Sequence, residues 1–304
     1  MATTLTCHLH RTKARRSILV DCPREARRRF ARGSSGTGFA ANRHRATIVL
    51  MSGSPAISIV TPSYKRERLL QLQHRTVSRQ TEQNFEWLIL DDSPEPSAYF
   101  SQLNDARIRY THHAGQRLSI GAKRNWLVER ARSEFIAHFD DDDFYADDYL
   151  STMRDRLRRG ADLSKLSAWF VYTTHVQKLG YWDTLITRGL HFRFSNELIK
   201  PVLLNDANAK SFDTHYAGYG FSYAYRKALW QKTPFPDQDF NEDLSMVSAA
   251  LAKGCRLDHF ADTRGLCLHV LRQDNASICF PQYVLPDFML TRMFAPEVAE
   301  HLRA

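Results

Sequence analysis

The chain has 304 residues, of which 43% are hydrophobic and 25% charged, an ordinary globular composition long enough for one large or two small domains. The formal net charge is +9, but residues 1–55 alone hold 11 Lys and Arg against two acidic residues, so the rest of the chain carries no net charge. This distribution argues against a nucleic-acid-binding body, and no apolar run approaches the ~20 residues that span a bilayer.

The basic leader, residues 1–55, is rich in Arg and lacks the apolar core of a secretory signal. Three interpretations stay open. The leader is interpreted as an organelle transit peptide, as a disordered basic arm for anionic surfaces, or as an artefact of a start codon upstream of Met51. Each places the start of the folded domain near residue 56. The five cysteines form no CxxC pair, which favours reduced thiols in a reducing compartment.

The body alternates short apolar runs with amphipathic stretches, which predicts strands and helices in turn. In the first half, strands are predicted at 56–61, 85–90, 108–110 and 135–139, and helices at 66–80, 121–132 and 148–159. In the second half, strands are predicted at 165–173, 221–225 and 265–270, and helices at 226–232, 242–253 and 286–303. The alternation predicts an α/β fold, a mostly parallel sheet with helices on both faces.

No internal repeat or linker follows residue 56. We therefore predict one catalytic domain over 56–280, followed by an amphipathic C-terminal helix within 281–304. That helix could contact a membrane surface, or pack on the domain.

Four consecutive carboxylates, Asp140 to Asp143, directly follow the fourth predicted strand. Alternate side chains of an extended segment share a face, so Asp140 and Asp142 point together. Like charges this close raise each other's pKa unless a cation lies between them, and hard divalent cations prefer oxygen ligands. The run therefore predicts a site for Mn²⁺ or Mg²⁺ completed by water and substrate phosphates. The alternative is a solvated acidic turn at a helix start.

Two more polar clusters follow predicted strands, at 61–64 and at Asp91-Asp92. In open parallel sheets, ligands bind beyond the carboxyl ends of the strands, so the three clusters are expected at one edge. The first strand is not followed by GxGxxG, and the chain contains no GxxxxGK[ST]. Dinucleotide and P-loop sites are therefore disfavoured.

Taken in order, five motifs resemble those of the family 2 glycosyltransferases, nucleotide-sugar enzymes of the GT-A fold. They are Thr61-Pro62-Ser63-Tyr64-Lys65-Arg66, Asp91-Asp92-Ser93, Gly121-Ala122-Lys123-Arg124-Asn125, the DxD-like Asp140-Asp141-Asp142-Asp143, and Asn241-Glu242-Asp243. The resemblance covers about residues 56–280. It implies metal-dependent, inverting transfer of a sugar, most often from a UDP-sugar, to an acceptor hydroxyl.

The resemblance also implies roles for individual residues. Asp243 would be the base, with Glu242 beside it. The nucleotide would be bound by Thr61, Pro62, Tyr64, Asp92, Arg124, Asp140 and Asp141. The metal would be bound by Asp142, Asp143 and His269, although a core or turn histidine satisfied by its neighbours is the alternative for His269. Zinc is excluded, because Cys267 and His269 have no second Cys/His pair at a suitable spacing.

Two other functions remain open: a nucleotidyltransferase of related fold, and a non-enzymatic module that binds a sugar nucleotide or a metal. The expected partners are a UDP-sugar or other nucleotide-sugar donor and a sugar, lipid-linked or polysaccharide acceptor, as in cell-surface polysaccharide biosynthesis, with no nucleic acid. We expect the protein in the cytoplasm, peripheral to the inner membrane if it contacts lipid, or in an organelle if the leader is a transit peptide.

Overall fold

The computed structural model describes residues 53–195, 197–273 and 277–304. The leader predicted over 1–55 therefore lies almost wholly outside the described residues. Among the described residues, no helix combines the length and the apolar character that a membrane span requires.

The first half forms a parallel sheet in the order β4-β1-β2-β3. Its strands are β1 Ile57–Ser63, β2 Phe85–Asp91, β3 Ile108–His112 and β4 Phe135–His138. Its helices are α1 Glu67–Ser78, α2 Ala98–Gln102, α3 Ile120–Arg130 and, after β4, α4 Tyr149–Arg158. The predicted strands and helices of this half are confirmed, whereas α2 was not predicted.

The second half extends the sheet to the order β13-β7-β6-β10-β4-β1-β2-β3. Its strands are β5 Phe144–Tyr145, β6 Leu163–Thr173, β7 Lys178–Asp183, β8 Gly189–Phe194, β9 Ile199–Leu204, β10 Ala224–Arg226, β11 Leu257–Ala261, β12 Cys267–Leu271 and β13 Tyr283–Leu285. Its α-helices are α5 Lys227–Lys232, α6 Glu242–Ala252, α7 Phe288–Met293 and α8 Val298–Arg303, with 3₁₀ turns at Lys210–Ala217 and Gly220–Ser222. Strands β8 and β9 form a separate hairpin.

The sheet is covered on both faces, as the continuous apolar strands predict. Alternate residues of β2 enter different cores: Trp87 and Ile89 pack in one, Leu88 and Leu90 in the other. The α/β fold is thereby confirmed. The sheet is not parallel throughout, because β10 runs antiparallel to both neighbours, β4 and β6.

The prediction of a single C-terminal helix over 286–303 is wrong. The segment forms α7 and α8, which are separated by residues 294–297. Pro296 lies in this break; it has no backbone N–H and its ring disfavours helical geometry in the residue before it. The segment also follows β13, which pairs with β7 and so belongs to the main sheet.

Candidate functional site

The three predicted polar clusters meet at the carboxyl edge of β1, β2 and β4. The Ser63 hydroxyl donates to Asp141 Oδ2 at 2.6 Å, which joins the ends of β1 and β4. Lys123 Nζ donates to the Ser63 carbonyl at 3.0 Å and to Asp92 Oδ1 at 2.6 Å, which joins β1 to β2. The strand order therefore brings the three polar clusters to one edge of the sheet, as the sequence predicts.

Helix α3 supplies two cations to this edge. The helix begins at Ser119, whose hydroxyl accepts from the Ala122 N–H at 3.0 Å. Gly121 is required there, because a Cβ would lie 1.9 Å from the Pro236 carbonyl oxygen. Consecutive helical side chains diverge by about 100°, so Lys123 reaches the end of β2 while Arg124 reaches the end of β4.

The Asp92 carboxylate, predicted to bind the nucleotide, is fully covered in this conformation, with 0% of its side chain exposed. Lys123 bonds one oxygen, and the Leu118 N–H donates to the other at 2.8 Å. Tyr64 remains half-buried and is surrounded by cations. Lys65 Nζ, the Arg117 guanidinium and Lys123 Nζ lie 5.2, 4.7 and 5.8 Å from its ring centroid.

Thr61 and Pro62, also predicted to bind the nucleotide, lie within strand β1. The Thr61 hydroxyl donates to the Phe139 carbonyl at 2.7 Å and accepts from Trp87 Nε1 at 2.9 Å. Pro62 pairs in register with Leu90 on β2, beyond the last residue of β1 that pairs with β4. Its missing N–H therefore costs the β4 side no ladder hydrogen bond.

Arg124 joins the acidic loop to the start of α6. Its guanidinium forms ion pairs with Glu242 and, at 3.3 Å, with Asp140 Oδ1, and its side chain is only 5% exposed. Burial raises the pKa of Glu242 to about 7, against the lowering effect of Arg124. Burial also raises the pKa of Asp140, with Arg124 opposing it. Arg124 is thus placed as a buried link between two carboxylates.

The four aspartates occupy different environments. Asp140 and Asp142 are partly exposed, whereas Asp141 and Asp143 are buried. Burial and the adjacent Asp142 raise the pKa of Asp141 well above its usual value, although Arg66 Nε lies 3.9 Å from its Oδ1. The Asp142 carboxylate has no hydrogen-bond or ion-pair partner among the described residues.

Asp143 and His269 bond to each other. His269 Nδ1 lies 3.0 and 2.9 Å from the two Asp143 oxygens, and the Val270 N–H donates to Asp143 Oδ1 at 2.8 Å. Burial raises the pKa of Asp143 to about 6. Burial lowers the pKa of His269, but Asp143 and its hydrogen bond outweigh this effect and raise it. Among the described residues, no group of three or more potential ligands surrounds a metal position. The structure thus brings Asp143 and His269 together as a pair but does not join them with Asp142 in a group of three ligands.

Asp243 lies at the first turn of α6, beside a strained segment. Its Oδ2 accepts from the Gly220 N–H at 2.6 Å, and its Oδ1 from its neighbour's N–H, Leu244, at 2.7 Å. Tyr219, immediately before Gly220, has a φ of 68°, and Asn241 has a φ of 59°. Left-handed backbone is uncommon for a residue as bulky as Tyr, and such strain clusters at functional sites.

A buried lysine lies behind this segment. Lys165, on β6, is 0% exposed, and its ammonium donates to the Tyr216 carbonyl at 2.7 Å and the Leu166 carbonyl at 2.9 Å. Burial lowers the pKa of Lys165 to about 7, and Asp243 partly offsets that shift. Lys165 therefore anchors the 3₁₀ turn that precedes Gly220 to the central sheet.

The low pKa of Lys165 predicts a pH-dependent stability. Between pH 7 and its usual pKa of 10.5, the unfolded chain binds a proton that the folded chain does not. The free energy of unfolding should therefore rise with pH in this window, by at most about 1.4 kcal/mol per pH unit from this group. Urea denaturation of the wild type and Lys165→Met at pH 7, 8 and 9 measures it. Equal slopes in the two proteins would contradict the prediction.

Sequence reasoning missed Ser63, Lys123, Arg117 and Gly220. A role for Lys123 could have been predicted. Lys123 and Arg124 are adjacent on one helix and so point in different directions, and carboxylates follow two of the predicted strands. Gly220 gave no local signal. A Cβ there would lie 2.7 Å from Arg124 Nη1 and 3.0 Å from Asp243 Cβ, contacts that depend entirely on the fold.

Comparison with known proteins gives a family match. The model of "Glycosyl transferase family 2" matches residues 58–229. Glycosyltransferase EpsJ of Bacillus subtilis (strain 168), whose own function is uncharacterised, is 25% identical over 62% of this chain and 52% of its own length. The Escherichia coli UDP-Glc:alpha-D-GlcNAc-diphosphoundecaprenol beta-1,3-glucosyltransferase WfgD is 33% identical over 29% of this chain and 36% of its length. This chain spans about half or less of these relatives.

Solved structures share the fold. S. aureus TarS 1-349 in complex with UDP has a TM-score of 0.52 at 16% identity, over 71% of this chain and 60% of that one. Its complex with UDP-GlcNAc has a TM-score of 0.54 at 16% identity, over 72% and 59%.

Proposed function

Because the chain belongs to glycosyl transferase family 2, we propose that it transfers a sugar from a nucleotide-diphosphate sugar to an acceptor hydroxyl. We propose a UDP-sugar as donor and a single displacement, which inverts the anomeric carbon. UDP and UDP-GlcNAc are bound by TarS, a protein of the same fold, which supports the choice of nucleotide.

One observation carries the proposal: Arg124 contacts both Asp140 and Glu242. The acidic loop after β4 and the acidic start of α6 are therefore separated by the width of one guanidinium. A donor whose diphosphate lies at the first and an acceptor whose hydroxyl faces the second would meet across this gap. Holding the two reactants in this way supplies much of the catalysis in a reaction that needs no protein nucleophile.

The nucleotide would bind at the carboxyl edge of β1, β2 and β4. Tyr64 offers a half-buried ring for the nucleobase, and Asp140, at 27% side-chain exposure, offers a carboxylate for the ribose. Asp92 would accept from the base only if its cover shifts, because its carboxylate is closed off by Lys123 and Leu118.

The acidic loop fits a divalent cation, Mn²⁺ or Mg²⁺. Asp142 is partly exposed and is surrounded by carboxylates, and its charge raises the pKa of the buried Asp141 beside it. A cation would relieve this repulsion. Asp142 would hold it, and substrate phosphates and water would complete the shell, as is usual for Mg²⁺. When bound, it neutralises charge on the leaving diphosphate.

Asp243 would accept the proton of the acceptor hydroxyl. Its carboxylate is fixed by the Gly220 and Leu244 N–H groups, which orient it at the start of α6. Glu242 would act through Arg124, by balancing the charge of that buried guanidinium. The positioned base is expected to contribute about 10²–10⁴ in rate.

The acceptor is proposed from the relatives. WfgD is named as a glucosyltransferase whose acceptor is linked to diphosphoundecaprenol. A lipid-linked or polysaccharide acceptor for this chain would place it at the cytoplasmic surface of a membrane, in cell-surface polysaccharide biosynthesis.

Calorimetric titration of UDP tests the proposal. We expect UDP to bind the full chain in the presence of Mn²⁺, and we expect binding to weaken at least tenfold when Mn²⁺ is removed or in Asp142→Ala, since bridging charge is lost in both cases. Asp147→Ala is the matched control, because this exposed aspartate lies nearby in the chain, between β5 and α4, and pairs with Arg79. UDP that fails to bind the wild type with Mn²⁺ present would end the proposal. If UDP binding is unaffected by removal of Mn²⁺ and by Asp142→Ala, the proposed donor site does not use a metal.

A further inference from the structure

Arg117 lies in an exposed loop, residues 113–119, and its side chain contacts the ring of Tyr64. Its guanidinium stands over the Tyr64 ring, 4.7 Å from the centroid. It makes no ion pair or hydrogen bond with any other described residue. Most surface arginines around it differ: Arg107 pairs with Asp105, for example. A planar cation held only by an aromatic ring occupies the position that a flat ligand on Tyr64 would take.

The loop is anchored at both ends, and its centre, residues 114–117, is exposed. At its start, the His113 N–H donates to the Asp91 carbonyl at 2.8 Å. At its end, Ser119 caps α3. The loop can therefore shift at its centre while both anchors stay in place.

The same loop covers Asp92. The Leu118 N–H, adjacent to Arg117 in the chain, donates to Asp92 Oδ2. A shift of the backbone at Arg117 and Leu118 would move the N–H group that covers this oxygen of Asp92, while Lys123 covers the other. A carboxylate released in this way can accept a ring N–H, since each ionised oxygen has two acceptor sites.

We propose that Arg117 is a nucleobase-binding residue: the base enters between Arg117 and Tyr64, and loop 113–119 moves to admit it. This inference rests on the proposed function, because it presumes a nucleotide at Tyr64. The guanidinium plane then stacks on the outer face of the base, while Tyr64 supports the inner face. Without nucleotide, Arg117 and the Leu118 N–H take the places of the base.

Titration of UDP with Mn²⁺ into Arg117→Ala and Arg117→Lys tests the proposal. Loss of a stacking partner should weaken UDP binding about tenfold in Arg117→Ala. Arg117→Lys should also weaken it, because an ammonium has no plane to stack. Pyrophosphate with Mn²⁺ should bind the wild type and both variants equally, since it carries no base. In a donor hydrolysis assay, KM for UDP-GlcNAc should rise without a change in kcat.

Arg130→Ala is the matched control, because this partly exposed arginine also lies over an aromatic ring, that of Trp126, at 4.0 Å. It should bind UDP as the wild type does. Unchanged UDP affinity in Arg117→Ala, or an equal loss for pyrophosphate, would overturn the role of Arg117 while leaving the proposed function intact. A wild type that does not bind UDP would instead remove the proposed function, and this inference with it.

Discussion

Replacing Asp243 by Asn is expected to slow donor turnover about a thousandfold and to leave UDP affinity unchanged. The amide oxygen of Asn can still accept from the Gly220 or Leu244 N–H, so the local structure is retained while the proton acceptor is lost. The measurement is release of UDP from UDP-GlcNAc with water as the acceptor, together with calorimetric UDP binding.

Glu242→Gln is the matched comparison, because Glu242 is the adjacent carboxylate and its pKa is raised to about 7 by burial, as a base near neutral pH would require. Because Glu242 forms an ion pair with Arg124, we do not expect it to act as the base. Glu242→Gln should therefore reduce donor turnover less, on the order of tenfold. If Glu242→Gln is the slower variant, the two residues exchange roles and Asp243 is the supporting carboxylate.

Replacing Asp143 by Ala is expected to lower the free energy of unfolding by about 3–5 kcal/mol, the usual cost of removing one member of a buried ion pair. The change leaves His269 and the Val270 N–H without their buried acceptor. The urea midpoint of unfolding measures the effect.

Asp142→Ala is the control for this change, since it alters the adjacent carboxylate, which has no partner among the described residues. It should unfold at nearly the wild-type urea concentration. Asp143→Asn keeps an acceptor for the Val270 N–H and should lie between the two, which provides a measurable variant if Asp143→Ala does not fold. Equal midpoints for Asp142→Ala and Asp143→Ala would show that the Asp143–His269 pair contributes little.

The sequence was most informative where local signals agree. The strands ending at Ser63, Asp91 and His138 have continuous apolar runs followed by polar clusters, so both their position and their shared edge could be predicted. The short strands β5, β7, β8, β9, β11 and β13 were missed, because each owes its pairing to a partner distant in the chain or to a hairpin without a strong turn signal.

Residue roles were harder to predict than positions. Asp142 and Asp143 are identical and adjacent, yet one faces solvent in part and the other is enclosed by His269 and Val270. Only the pairing of β12 with β5 brings those partners beside Asp143. The buried link through Arg124 is equally invisible in sequence, because Asp140 and Glu242 lie about a hundred residues apart in the chain.

The position of β10 has an evolutionary consequence. The chain leaves the main sheet after β7 and returns at β10, a three-residue strand that lies between β4 and β6. We call the residues between these two strands the β7–β10 connection. The intervening hairpin of β8 and β9 forms its own two-stranded ladder. Insertions, deletions or recombination in the β7–β10 connection would therefore leave the register of β1, β2 and β4 unchanged.

Near its end, the β7–β10 connection contains Gly220, whose N–H donates to Asp243. The hydrogen bond of Lys165 to Tyr216 ties the same connection to β6, so both junctions must be preserved when either part of the fold changes. We expect related chains to vary in the exposed part of the β8–β9 hairpin, while they keep the turn that Lys165 and Gly220 hold in place.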